Sequence, residues 1–209
     1  MNGQVSPQFS SLGQQNAAAT LGMWVFLATE LMFFGPLFFG DWYGRLHFPL
    51  EFAAASRHTD MVLGTANTAI LLTSSFAMAN AVEALAAGRR TTARAMLVAT
   101  AVLGVAFLAV KGLEWRHDWQ GHLFPGRGSF LANGGQLFFL LYFALTGLHA
   151  VHLAIGIVLV LAFALAMRHD TSALAEPGRL RVAGLYWHFV DVVWIFLYPI
   201  LYLVGRAAG

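Results

Sequence analysis

Five long apolar runs constrain the fold of this chain more than any other feature of its sequence. They cover residues 17–40, 61–85, 92–115, 136–167 and 185–205. A bilayer core about 30 Å thick needs roughly 20 apolar residues in a helix, and each run provides about that many or more. A membrane barrel would instead show short segments of alternating hydrophobicity. The pattern therefore predicts an all-α fold, a polytopic transmembrane bundle of five helices.

The composition supports this prediction and excludes several other classes of protein. Hydrophobic residues make up 58% of the chain and charged residues 11%, a balance that is unusual for a soluble domain. No cysteine is present, so disulfides, thiolate metal sites and cysteine nucleophiles are excluded. The connections are short and carry turn signals at 124–126 and 176–178. We expect residues 1–209 to form a single transmembrane domain.

The basic residues predict the orientation of the chain in the membrane. They are scattered rather than gathered in one patch, which gives no support to nucleic-acid binding. The even-numbered connections contain six arginines: Arg89, Arg90, Arg94, Arg168, Arg179 and Arg181. The opposite side has five: Arg45, Arg57, Arg116, Arg127 and Arg206. Because positive residues favour the cytoplasmic side, this count predicts a cytoplasmic N-terminus and an external C-terminus.

Glu30 is the clearest candidate for a functional residue inside a span. It lies near the middle of the first run, and residues three and four positions away, such as Phe26 and Phe33, are apolar. Ionisable groups at this depth are costly and often functional. Two interpretations remain open: a proton-labile carboxylate, or a neutral acid that is hydrogen-bonded to a neighbouring helix.

The second span is rich in small and polar residues. Its candidate helix-packing residues are Asn67, Thr68, Ser74 and Ser75. A stripe of small side chains at helical spacing, formed by Gly64, Thr68, Ser75 and Ala79, is typical of close helix packing in membranes. A substrate pathway is the alternative interpretation.

Two pairs of polar residues follow at a spacing of three, which places each pair on one helix face. Lys111 and Glu114 near the end of the third span are predicted to form an ion pair. His149 and His152 in the fourth span could reach one metal ion, although a complete metal site would need ligands from other helices. Hydrogen-bonded histidines are the simpler interpretation.

The fifth span contains His188 and Asp191 one turn apart, among aromatic residues. This spacing predicts a hydrogen bond between the two side chains. Trp187, Trp194 and Tyr202 could alternatively mark the membrane interfaces, where such rings are enriched.

Several segments together resemble one protein family, subunit III of the haem-copper terminal oxidases, which is the cytochrome c oxidase subunit III family. In chain order they are LGMWVFLATELMFF at 21–34, residues 67–75, LEW at 113–115, TGLHAVH at 146–152 and YWHFVDVVW at 186–194. The last segment is the most specific match. The similarity covers nearly all of residues 20–205. Longer members of the family carry two further helices before the glutamate helix, so this chain resembles the short, five-helix bacterial form.

The resemblance implies an accessory subunit of a proton-pumping oxidase in the aerobic respiratory chain of a bacterial inner membrane. Such a subunit has no catalytic site and no haem or copper of its own. It packs on the catalytic subunit I, alongside subunit II and with or without a small subunit. It also binds phospholipid and supports proton uptake and stability during turnover. The candidate buried, proton-labile groups are Glu30, Glu114, His149, His152, His188 and Asp191.

Alternatives remain for the setting and for the class of protein. Short members of this family also accompany quinol oxidases and nitric oxide reductases. A stand-alone proton or cation transporter would use Glu30, Asn67 and the histidines. Transporters often show internal repeats, and the two halves of this chain do not resemble each other. A membrane metalloenzyme is disfavoured because the ligand set is incomplete.

Overall fold

The computed structural model describes residues 9–126, 133–168 and 176–203, and nearly all of these residues are helical. The helices are α1 (Leu12–His47), α2 (Pro49–Ser56), α3 (Met61–Ala86), α4 (Arg90–Gln120), α5 (Asn133–Ala166) and α6 (Pro177–Tyr198), followed by a π-helical turn (Pro199–Leu203). Five of them are long and apolar enough to cross a membrane, and the described residues contain no strand. The predicted all-α fold is confirmed.

The helices extend beyond the apolar runs at several ends. α1 continues past residue 40 to His47. This extension contains an ion pair between Asp41 and Arg45, which lie one turn apart. α6 begins at Pro177, eight residues before the predicted start at 185. An apolar run marks only the part of a helix that lies in the hydrocarbon core. The helix itself can continue beyond the run into the aqueous phase. The predicted end at 205 lies outside the described residues.

Two local features depart from the sequence prediction. The short helix α2 was not anticipated, although Pro49 occupies a first-turn position that suits proline and three alanines follow. The predicted turn at 176–178 is wrong, because Pro177 begins α6 and Glu176 is its N-cap. The turn predicted at 124–126 is present, and Gly126 there has a φ of 89°.

The core lies among four helices, α3, α4, α5 and α6. α3 packs against α4 and α6, and α5 packs against the same two helices, while α1 lies outside this group against α5 and α6. The largest fully buried side chains include Trp187, Trp194 and Phe107. Trp187 fits against Gly104 of α4 and Gly156 of α5, where an added Cβ would lie 3.0–3.2 Å from the indole ring. Small residues at these positions allow the helices to approach closely.

Candidate functional site

Glu30 forms a pair with His152 across the α1–α5 contact. Nε2 of His152 lies 2.9 Å from Oε2 of Glu30, and both side chains are largely buried. Nδ1 of His152 lies 2.8 Å from the carbonyl oxygen of Leu148. A carbonyl can only accept, so Nδ1 carries a hydrogen and Nε2 is the atom that shares a proton with Glu30. A hydrogen bond at this distance needs one proton between Nε2 and Oε2, whichever of the two atoms carries it.

A second polar cluster surrounds Lys111 on α4. The predicted ion pair is present, with Nζ of Lys111 3.1 Å from Oε2 of Glu114. Nζ also donates to the hydroxyl groups of Tyr142, at 2.9 Å, and Tyr202. All three of its hydrogens thus have acceptors, and Lys111 is only 2% exposed.

The other members of this cluster were not identified from the sequence. The hydroxyl of Tyr202 donates to Oε1 of Glu114 at 2.6 Å, and that of Tyr142 lies 2.8 Å from the same oxygen. Tyr142 is also 3.2 Å from the buried carboxylate of Asp118. Asp118 could have been found, because it follows Glu114 by four residues and shares its helix face. We call Lys111, Glu114, Asp118, Tyr142 and Tyr202 the lysine cluster.

The polar residues of α3 pair with α6 in an antiparallel series. Nε1 of Trp194 donates to Thr68 at 3.1 Å, and Nε1 of Trp187 donates to Ser74 at 3.2 Å. One residue further along each helix, Oγ of Ser75 lies 2.7 Å from Nδ1 of His188. These hydrogen bonds fix the register of the two helices. Thr68, Ser74 and Ser75 of α3 therefore contact α6 through their hydroxyl groups.

Two interpretations of the fifth span are corrected by these contacts. Trp187, Trp194 and Tyr202 are at most 1% exposed, so they do not mark the membrane interfaces. His188 bonds to Ser75 because its ring turns toward α3, and the predicted bond to Asp191 is absent. Among the described residues neither carboxylate oxygen of Asp191 has a hydrogen bond of normal geometry, although the hydroxyl of Ser75 lies close to this carboxyl.

His149 and Asn67 are buried in the same part of the bundle without polar partners. His149 is 1% exposed and packs against the rings of Phe107 and Trp194, with centroid distances of 5.5 and 5.2 Å, and these two rings also contact each other at 4.7 Å. Both of its ring nitrogens and both polar atoms of the Asn67 side chain lack hydrogen bonds within the described structure.

The two histidines of α5 do not converge on a shared metal position. His152 is engaged by Glu30 and a backbone carbonyl, whereas His149 is enclosed by aromatic rings. In residues 9–126, 133–168 and 176–203, no group of three or more His, Asp or Glu side chains is placed to hold a metal ion.

Five membrane-length helices with inward-facing ionisable groups define a multi-pass integral membrane protein. Residues 12–206 match the family described as Cytochrome c oxidase subunit III. The chain belongs to this family, and it is an accessory subunit III of a haem-copper oxidase complex.

Individual relatives agree with this assignment over most of their length. Cytochrome c oxidase subunit 3 of Alkalihalophilus pseudofirmus is 32% identical over 188 residues, which cover 88% of this chain and 86% of the relative. The probable quinol oxidase subunit 3 of Staphylococcus epidermidis is 28% identical over 193 residues, covering 88% of each chain. The corresponding protein of Staphylococcus aureus is 26% identical over the same length.

Proposed function

We propose that this chain serves a proton-pumping oxidase that takes electrons from cytochrome c. The observation that carries the proposal is the 32% identity, over 88% of the chain, to a relative named cytochrome c oxidase subunit 3. In this complex the chain has no catalytic site and binds no haem or copper, which belong to the catalytic subunit. The paired and enclosed histidines of α5 support this division of roles.

The proposed partners are the catalytic subunit I, subunit II, with or without a small subunit, and membrane phospholipid. The outer faces of the long helices support this proposal because they carry many exposed apolar side chains, such as Trp24, Met32 and Phe76. A surface of this kind needs lipid or another membrane protein against it.

We further propose that the Glu30–His152 pair supports proton uptake and durability during turnover. The pair shares one proton across two helices, and the Glu30 side chain is 17% exposed at the edge of the α1–α5 contact. A group that changes its protonation state there alters the field near a neighbouring subunit without taking part in redox chemistry.

A quinol oxidase is the second candidate setting. It is supported by the relatives named probable quinol oxidase subunit 3, which match 88% of this chain at 26–28% identity. No contact among the described residues distinguishes the two electron donors, because neither donor would bind this subunit in the proposed arrangement.

The test is purification of the tagged chain from its native membrane in mild detergent. We expect a large catalytic subunit and haem bands in the reduced-minus-oxidised spectrum of the purified material. Oxygen consumption is then measured with reduced cytochrome c and, separately, with a quinol. Faster oxidation of cytochrome c supports the main proposal, and faster oxidation of quinol selects the second candidate. A colourless chain that purifies alone, under conditions that keep other respiratory complexes intact, would contradict both.

A further inference from the structure

The four-helix core contains buried polar atoms that have no hydrogen-bond partner among the residues that the structure describes. Asn67 is 0% and His149 1% exposed, and four polar atoms of these side chains have no partner in the described residues. More than nine in ten buried polar groups in proteins are hydrogen-bonded to protein or to ordered water. A missing partner at such a place indicates a bound molecule that can both donate and accept.

Asn67 and His149 lie at one level of the bundle. Thr100 of α4 lies 3.5 Å from the carbonyl oxygen of Ser74, which sets the register of the antiparallel helices α3 and α4. Asn67 comes seven residues before Ser74, and Phe107 comes seven residues after Thr100. Because the two helices are antiparallel, both residues lie about 10.5 Å from this contact in the same direction, and so at the same level. Phe107 packs against His149.

This level lies between the two polar clusters. His149 precedes His152 of the glutamate pair by one helical turn. On the other side, the indole of Trp194 contacts both the ring of His149, at 5.2 Å, and Nζ of Lys111, at 5.6 Å.

Asn67 is similarly close to the lysine cluster. One turn before it on α3, Gly64 packs so closely against Tyr202 that an added Cβ would lie 2.9 Å from the ring. The residue after it, Thr68, accepts the indole hydrogen of Trp194. The unpaired amide of Asn67 therefore lies one helical turn from the contact with a member of the lysine cluster.

We propose that Asn67 and His149 bind internal water at the centre of the bundle, and that this water joins the Glu30–His152 pair to the lysine cluster in one hydrogen-bonded file. Water fits the site because it donates and accepts, and buried waters typically make about three hydrogen bonds. Along α5 the file extends from Tyr142 to His152, about 15 Å or half of the bilayer core. Protons pass along the waters, each of which gives one hydrogen and accepts the next, so one taken up at one end is balanced by one released at the other. The file meets the glutamate pair at Glu30, because Nε2 of His152 is bonded to Glu30 and Nδ1 to the carbonyl of Leu148.

The first test is an electron-microscopy map of the intact oxidase complex at a resolution that shows ordered water. We expect density within hydrogen-bond distance of a His149 ring nitrogen and of the Asn67 amide, continuing to a polar atom of each cluster. An empty site in a map that resolves other internal waters would overturn the proposal. So would direct protein partners for His149, or a water that contacts neither cluster.

The second test measures hydrogen–deuterium exchange of the His149 ring by nitrogen-15 magnetic resonance of the labelled full chain in lipid nanodiscs. Asn67→Leu removes the amide, and the matched control Thr73→Val changes an exposed hydroxyl of the same helix that bonds only to its own backbone at Ala69. We expect exchange at His149 to be lost in Asn67→Leu and kept in the control. Equal exchange in both variants would contradict the proposal, and the dispersion of the other labelled signals in the Asn67→Leu sample shows that its bundle has folded.

Discussion

Lys111 is a cation enclosed by aromatic rings and hydroxyl groups in the middle of a protein. Its Nζ lies 4.5 Å from the ring centroid of Tyr142 and 5.2 Å from that of Tyr202, whose hydroxyl groups also accept its hydrogens. Cation–π contacts of this kind strengthen when water is excluded. Each donor position of Nζ has an acceptor, and the Glu114 carboxyl lies beside it.

Removing one member of this ion pair should destabilise the protein more than removing both. Lys111→Met leaves Glu114 buried without its counter-charge, and we expect a loss of about 3–5 kcal/mol. The double variant Lys111→Met/Glu114→Gln removes both charges at nearly constant volume and should recover much of this loss. Thermal unfolding of the purified complex measures the difference. If the single and double variants lose the same amount of stability, the side chains of Lys111 and Glu114 do not stabilise each other.

Glu30 offers a test of the proposed proton-related role that leaves the haem groups unaffected. Glu30→Gln retains an acceptor and a donor for His152 but cannot change its charge. We expect an unchanged reduced-minus-oxidised spectrum with slower proton uptake and earlier inactivation during turnover. Glu83→Gln, at an exposed carboxylate near the end of α3, is the control. Loss of the haem spectrum in an assembled Glu30→Gln complex would contradict an accessory role.

At the scale of the element, α4 contains two glycines in different environments. A Cβ at Gly104 would lie 2.9 Å from Ile157 and 3.0 Å from Trp187, whereas a Cβ at Gly112 would meet nothing within 4 Å. The first glycine is required by packing between helices. The second faces outward and has no such constraint.

We therefore expect Gly104→Leu and Gly112→Leu to differ sharply. Overpacking at residue 104 should cost about 1–3 kcal/mol, whereas the exposed substitution at residue 112 should change stability by less than about 0.5 kcal/mol. Thermal midpoints of the two variants in the same detergent provide the comparison. Similar midpoints would mean that α4 and α5 separate easily at this level.

The sequence predicted the existence of the long helices better than their ends. Apolar runs identified all five, because a bilayer imposes a minimum length. The start of α6 was missed because Gly178, Arg179 and Arg181 are typical of a loop, yet they form its first turns. The π-helical turn at Pro199 was also missed, since a change in helix type leaves the composition unaltered.

At the scale of the whole molecule, the site could be predicted only where its members share a helix. Lys111 and Glu114 are three residues apart, so spacing alone indicated their pairing. Tyr142 and Tyr202 are 31 and 91 residues away from Lys111, and their contribution depends on how the helices pack. The partner of Glu30 was unpredictable for the same reason, because His152 is 122 residues away.

The absence of cysteine allows a direct test of orientation. Ala87→Cys, in the connection after α3, and Gln120→Cys, at the end of α4, each introduce one exposed thiol at opposite ends of the bundle. The arginine count predicts that a membrane-impermeant maleimide labels intact cells, with the outer membrane permeabilised where one exists, only at residue 120. Labelling at residue 87 alone would reverse the assigned orientation, and broken membranes should allow both reactions.

The position of α6 at the end of the chain has a consequence for biosynthesis. α6 and its π-helical turn supply Trp194, Trp187 and His188 to α3, and Tyr202 to the lysine cluster. These residues follow their partners in the chain and leave the ribosome after them, so the earlier helices enter the membrane with polar groups that are not yet paired. We expect a nascent chain arrested before residue 177 to be an incomplete insertion product that membrane proteases remove. We therefore expect assembly of the subunit to require the synthesis of α6.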